Sequence, residues 1–212
     1  MTAHPTIQRY VALGDSLSEG FFDWGRGDRS LGFASILAGL LRERNADLAF
    51  TNLGRAGARV ADVSRAQVEQ ALALEPDLVT LIVGANDLAA TPADQFRRLY
   101  ADIVKRLRTN STTIVAVANI PDFVHLLPPQ YAGYGTLVQN RTREFNQIIA
   151  AVAAAHGARL VDLATNPEAE DPRNVSSDRV HPNARGYRAM ARAFVETLNR
   201  AGLNLTPPPL DL

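Results

Sequence analysis

Apolar runs of strand length alternate with stretches of helical periodicity along most of this chain, and no other feature restricts its fold as tightly. Residues 7–13, 48–53, 78–83, 113–118 and 159–163 read as strands. The third is almost unbroken in apolar residues, as expected where a strand is covered on both faces. Between the strands, Phe33, Ile36, Leu37, Leu40 and Leu41 fall at helical spacing, and Val60, Val63, Val68 and Leu72 do so more weakly. Phe96, Leu99, Tyr100, Ile103, Val104 and Leu107 form the cleanest amphipathic helix. A helix carrying Phe145, Ile148, Ile149 and Val152 follows, and a last one carries Tyr187, Met190, Phe194, Val195 and Leu198. Strands alternating with helices predict an α/β fold, with about five mostly parallel strands and helices on both faces. In such sheets a ligand crevice opens beyond the carboxyl ends of the strands, where the strand order reverses.

With 212 residues the chain suits one well-cored domain, read as 1–212, with loose tails at 1–5 and 204–212. The tail Thr206-Pro207-Pro208-Pro209 cannot continue a helix and reads as extended or disordered. Lys plus Arg and Asp plus Glu balance at 22 each, with no basic block, so nucleic acid and anionic membranes are poor partners. No apolar run approaches the ~18 residues of a membrane span. The stretch from Met1 to Arg9 lacks the grammar of a signal peptide, which makes the cytoplasm the expected compartment. The absence of cysteine excludes disulfides and any thiol nucleophile. Nothing in the sequence sets an oligomeric state.

The polar residues of interest follow strands. Ser16 comes after the first, in Gly14-Asp15-Ser16-Leu17-Ser18-Glu19-Gly20; Gly54 and Gly57 follow the second and Asn86 the third; Asp178 and His181 follow the fifth after a long loop. Parallel strands deliver all four turns to one edge. Ester cleavage needs a nucleophilic oxygen, a base to take its proton, an acid to orient the base and donors for the oxyanion. Four histidines compete for the role of base. His4 lies in the terminal segment, His156 precedes Gly157 in the last turn of a helix, and His125 sits in the long loop after strand four, where it is a candidate pocket residue. Only His181 combines a carboxylate three residues earlier with a proline directly after it. Pro182 biases His181 toward extended geometry, so Asp178-Arg179-Val180-His181 can turn the acid onto the imidazole and fix its tautomer.

Each residue also has a purely structural use. Ser16-Leu17-Ser18-Glu19 matches a capping box, Asn86 could close a turn, Gly57 could permit a backbone twist and Asp178 could cap the last helix. Coincidence of all four at one sheet edge favours the chemical reading.

With those residues assembled, the chain resembles the SGNH hydrolases, or GDSL esterase/lipase family. Gly14-Asp15-Ser16-Leu17-Ser18 resembles its first block, Asn52-Leu53-Gly54-Arg55-Ala56-Gly57 the second, Gly84-Ala85-Asn86-Asp87 the third and Asp178-Arg179-Val180-His181-Pro182 the last, in family order. The resemblance implies a three-layer α/β/α sandwich of flavodoxin-like kind. It implies Ser16 as nucleophile, His181 as base and Asp178 as acid, with the oxyanion held by the amides of Ser16 and Gly57 and the side chain of Asn86. Asp15 is assigned to the turn that presents Ser16. Arg59 departs from the short hydroxyl residue that many members carry, a change expected to affect the rim alone.

Two apolar loops are candidates for substrate contact: Phe21, Phe22 and Trp24 after the nucleophile, and Phe123, Leu126 and Tyr131 after strand four. Such walls suit an acyl chain or aryl group better than a large sugar, although they could equally close the core or a dimer contact. Arg26, Arg29 and Arg55 could meet an anionic head group or simply be solvated. The expected function is a serine esterase cleaving small-to-medium acyl or aryl esters, with thioesters and lysophospholipids as further substrates. Carbohydrate O-deacetylation on the same scaffold is the alternative. A flavodoxin-like module binding phosphate at the Ser16 turn would leave Asn86, Asp178 and His181 without work. No metal or cofactor is expected, since neither a His-Glu-x-x-His pattern nor a calcium loop is present.

Overall fold

A computed structural model describes residues 5–22, 28–122, 124, 133–169 and 171–211. Strands β1 (Arg9–Gly14), β2 (Ala49–Asn52), β3 (Leu78–Ile82), β4 (Ile114–Ala118) and β5 (Arg159–Val161) form one sheet in the order β2-β1-β3-β4-β5. All four pairings are parallel. The chain steps from β1 outward to β2 and then back past β1 to β3, so the strand order reverses at β1. The carboxyl ends of β1, β2 and β3 therefore border the crevice that this topology creates.

Period-two side chains divide the core between two faces. Tyr10 and Ala12 of β1 pack into one layer, with helices α2 (Phe33–Arg42) and α7 (Ala184–Arg200). Val11 and Leu13 pack into the other, with α3 (Val60–Asp62), α4 (Val68–Ala73), α5 (Ala93–Leu107) and α6 (Gly135–His156). Helix α1 (Ser16–Glu19) is a single turn at the end of β1. Stacked rings anchor both layers: Phe33 on Phe194 at 4.6 Å between centroids, and Phe96 on Phe145 at 4.1 Å. Full burial of such a side chain contributes about 1.5–3 kcal/mol. The three layers and the parallel sheet are those read from the sequence.

Three details differ from the sequence reading. The weak helix read from Val60 onward is interrupted by a π-helical turn, Val63–Gln67, between α3 and α4. Gln67, the last residue of that turn, is buried. The tail 204–212, expected to be loose and read as extended or disordered at Thr206-Pro207-Pro208-Pro209, is extended and also tied down over its described residues. Asn199 accepts from the Leu205 amide and donates to its carbonyl, Arg192 reaches Pro208, and Leu205 is buried in the core. Phe22, expected at the substrate, is buried edge-on against Tyr187 at 5.0 Å. Neighbours in an extended segment point to opposite sides, so Phe21 faces the crevice and Phe22 the core.

Candidate active site

Ser16 is presented by a strand that ends under tight steric control. Gly14 has φ 133°, and a Cβ there would sit 1.8 Å from the carbonyl oxygen of Ile82. Only glycine lets β1 press so closely against β3 as the chain leaves the sheet. Gln67 completes the exit, accepting from the Gly14 amide at 2.7 Å and donating to its carbonyl at 2.9 Å. Asp15 then caps α1 by accepting from the Leu17 amide at 3.0 Å. The capping-box alternative for Ser16 fails, because Asp15 is the cap and Ser16 the first helical residue. Burial pushes the Asp15 carboxyl up to about 7, against the Leu17 hydrogen bond and with help from the nearby Asp87.

His181 arrives from a loop with little regular structure, held by its own hydrogen bonds. Val175 and Pro182 form an isolated antiparallel bridge, the Ser176 amide donates to the His181 carbonyl at 2.8 Å, and the Asn183 side chain ties back to Arg173 and Val175. Asn183 also caps α7, so Asp178 is not the cap. Arg179 adopts φ 59°, a left-handed conformation costing about 1–3 kcal/mol in a non-glycine residue. That turn folds the chain onto Asp178, whose Oδ1 accepts the amides of Val180 and His181, each at 2.9 Å. Its Oδ2 lies 2.7 Å from His181 Nδ1. Burial opposes ionisation of Asp178, yet the two amides and the ring hold its carboxyl below the usual carboxylate range. An ionised partner on Nδ1 leaves Nε2 as the acceptor. His181 Nε2 is 3.1 Å from Ser16 Oγ, across 165 residues of chain.

Asn86 and Gly57 border the same crevice. The Asn86 side chain donates to the Ala58 carbonyl at 2.9 Å, fastening the β2–α3 loop; an amide carries two hydrogens, so one remains for a ligand. Gly57 has φ 78° and is exposed, and among the described residues beyond its chain neighbours no atom lies within 4 Å of the place a Cβ would occupy. Asp87 supports the loop from beneath, accepting from the Val60 amide at 2.9 Å and from Thr91. Ser16, Gly57, Asn86 and His181 line one cleft, with Asp178 hydrogen-bonded to His181 beside it.

A cleft of about 380 Å³ runs from these residues, with an apolar floor including Leu17, Ile120, Leu163 and Met190. Asn166, Glu168 and Asn174 make part of its wall polar. Of the loop residues expected to contact substrate, Phe21 lines the cleft, with its ring 4.8 Å from the His181 ring. Trp24, Phe123, Leu126 and Tyr131 lie outside the described residues, as do His4, His125 and Arg26. Sequence reasoning missed Gln67, Asp87 and Tyr187, whose hydroxyl donates to the Phe21 carbonyl at 2.7 Å. Gln67 alone carried a signal, as a polar residue within the apolar stripe Val60, Val63, Val68. Among the described residues no cluster of His, Asp and Glu could hold a metal ion, and no helix is long and apolar enough to cross a membrane.

Residues 12–189 match the GDSL-like lipase/acylhydrolase family. The acetylxylan esterase of Geobacillus stearothermophilus is 24% identical over 218 residues, covering 90% of this chain and 94% of that protein. Among solved structures, TesA superposes with a TM-score of 0.73 at 23% identity, covering 91% of this chain and 99% of its own. The psychrotrophic esterase EstA from Pseudoalteromonas sp. gives 0.71 at 18% identity, covering 92% of this chain and 98% of its own. At those identities the structural likeness is one of fold.

Proposed function

The chain belongs to the GDSL-like lipase/acylhydrolase family and is a carboxylic ester hydrolase, and from that premise we propose that it works through an acyl-enzyme on Ser16. His181 Nε2 takes the Ser16 proton as Oγ attacks the ester carbonyl. Asp178 fixes the ring and stabilises the imidazolium. The carbonyl oxygen, now an oxyanion, receives hydrogen bonds from the amides of Ser16 and Gly57 and from Asn86 Nδ2. His181 returns its proton to the leaving alcohol and next deprotonates the water that releases the acid. The observation that carries this reading is the continuous relay Asp178 Oδ2, His181 Nδ1, His181 Nε2, Ser16 Oγ, with links of 2.7 and 3.1 Å.

The apolar cleft floor favours a small-to-medium acyl or aryl group, with thioesters and lysophospholipids as related substrates. A second reading, deacetylation of a carbohydrate, draws support from the acetylxylan esterase likeness and from the polar wall of Asn166, Glu168 and Asn174. Hydrolysis rates across p-nitrophenyl esters from acetate to decanoate, beside an acetylated xylo-oligosaccharide and an acyl thioester, separate the two. The acyl reading expects kcat/KM to rise from acetate to a medium chain. A sharp preference for acetate, surpassed by the acetylated sugar, would establish the carbohydrate reading instead.

A further inference from the structure

Glu19 ends α1 three residues after the nucleophile, and the capping-box pattern would turn its carboxylate back on its own helix. It does something else. Oε2 accepts the backbone amide of Ala56 at 2.7 Å, across 37 residues of chain. Oε1 accepts from Arg29 at 2.5 Å. The Glu19 side chain is only 11% exposed, while its Arg29 partner is 55% exposed. The acid is thus lodged where two segments meet at the rim: the end of α1 and the β2–α3 loop.

The loop itself is shaped for this contact. A Cβ on Gly54 would lie 2.7 Å from the Glu19 amide nitrogen and 2.9 Å from Ser18, so the loop backbone rests directly on α1. Asn52 stitches the same seam, donating to the Ser18 carbonyl at 2.8 Å and accepting from the Gly54 amide at 3.0 Å. Ala56 immediately precedes Gly57, and the peptide plane between them carries the Gly57 N–H. Holding the Ala56 amide therefore limits how the Gly57 N–H can turn. On its far side the loop is held by Asn86 through the Ala58 carbonyl. Gly57 is consequently suspended between two fixed points, one on each neighbouring residue. Arg29 orients the carboxylate from outside, and its guanidinium also lies 6.0 Å from the Phe21 ring that covers His181.

We propose that Glu19 is a positioning residue for the oxyanion hole, its carboxylate clamping the β2–α3 loop through the Ala56 amide so that the Gly57 N–H points at the developing oxyanion. The inference rests on the Ser16 reading and deepens it. An oxyanion donor is worth about 10²–10³ in turnover when removed, and an error of about 1 Å in the geometry of a reacting group costs about 10²-fold. Releasing the clamp should therefore lower kcat roughly 10-fold to 100-fold.

The test compares Glu19→Ala, Glu19→Asp and Glu19→Gln in p-nitrophenyl acetate hydrolysis, with active sites counted by fluorophosphonate titration and melting temperature recorded alongside. Glu19→Asp keeps the charge beside Arg29 but withdraws the acceptor from Ala56. Glu19→Gln loses the charge but still reaches the amide. The clamp requires kcat per titrated site to fall in the alanine and aspartate variants, with KM within about threefold of the parent, and to be restored largely by glutamine. If the alanine variant does not fold, aspartate against glutamine decides alone. Activity per site in Glu19→Asp equal to or above that of Glu19→Gln overturns the proposal, whatever happens to the melting temperature. Failure of the parent enzyme to take the label at Ser16 would undo the underlying reading together with the clamp; full labelling with undiminished kcat in Glu19→Asp would remove the clamp alone.

Discussion

The Ser16 side of the crevice and the His181 side, the proposed nucleophile and base, hold an aspartate each, and the two are treated in opposite ways. Asp15 belongs to the sheet edge, is buried, accepts one amide, and is pushed up to about 7 mainly by that burial. Asp178 belongs to a loop and is also shielded, yet two amides and the His181 ring hold it below the usual carboxylate range. The first is a structural cap that tolerates neutrality. On the proposed mechanism the second must stay ionised to orient the His181 ring. What separates them is depth of burial as well as donors: Asp15 is fully buried with the Asp87 carboxylate nearby, whereas Asp178 is less deeply buried and faces two amides and the His181 ring.

That contrast is sharpest in the pair of asparagine variants. Asp178→Asn preserves the shape of the loop but allows the wrong His181 tautomer, so kcat should fall by about 10⁴-fold, measured on a short-chain ester. Asp15→Asn should act on stability instead, and the sign follows from proton binding. A folded pKa near 7 against 3.8 in the unfolded chain means that the native state keeps a proton the unfolded chain releases. Stability contributed by this group therefore declines as pH rises from about 4 to about 7, by up to about 4 kcal/mol. Urea unfolding of parent and variant across that window should show a shallower decline in Asp15→Asn; parallel curves would erase the distinction between the two carboxylates.

Asn86→Ala probes the seam between the two sides. It removes the proposed oxyanion donor and the tie to Ala58 together, so kcat should drop about 10²–10³-fold while the fold survives, as judged by circular dichroism. The smallest expected effect belongs to Asn183→Ala, which loses the α7 cap and two ties within the His181 loop. It should cost about 1 kcal/mol in thermal unfolding, and a disproportionate loss of kcat would show that the loop positions His181 less firmly than the sheet positions Ser16.

The same contrast explains what the sequence disclosed. The nucleophile side lies where strands stop, and a strand that ends in Gly14-Asp15-Ser16 or Gly84-Ala85-Asn86 writes its function next to its apolar run. The base side was legible because the acid and base lie three residues apart, with Pro182 setting the backbone between loop and helix. Contacts made only by tertiary closeness left little trace. Gln67 serves Gly14 across 53 residues of chain, and Glu19 serves Ala56 because the end of α1 meets the β2–α3 loop; neither spacing announces its partner. Phe21 and Phe22 differ only in which side of an extended segment they occupy, which adjacency cannot tell. The tail after Gly202 was read from its prolines, whereas Leu205 and the Asn199 side chain decide where it rests.

The proton relay between residues on the two sides is tested most directly by covalent labelling. A fluorophosphonate ester incubated with the parent protein should attach once, at the peptide containing Ser16. Ser16→Ala should take no label, and His181→Ala should react slower by orders of magnitude. Labelling of His181→Ala at the parent rate, or attachment to a different residue, would contradict the relay.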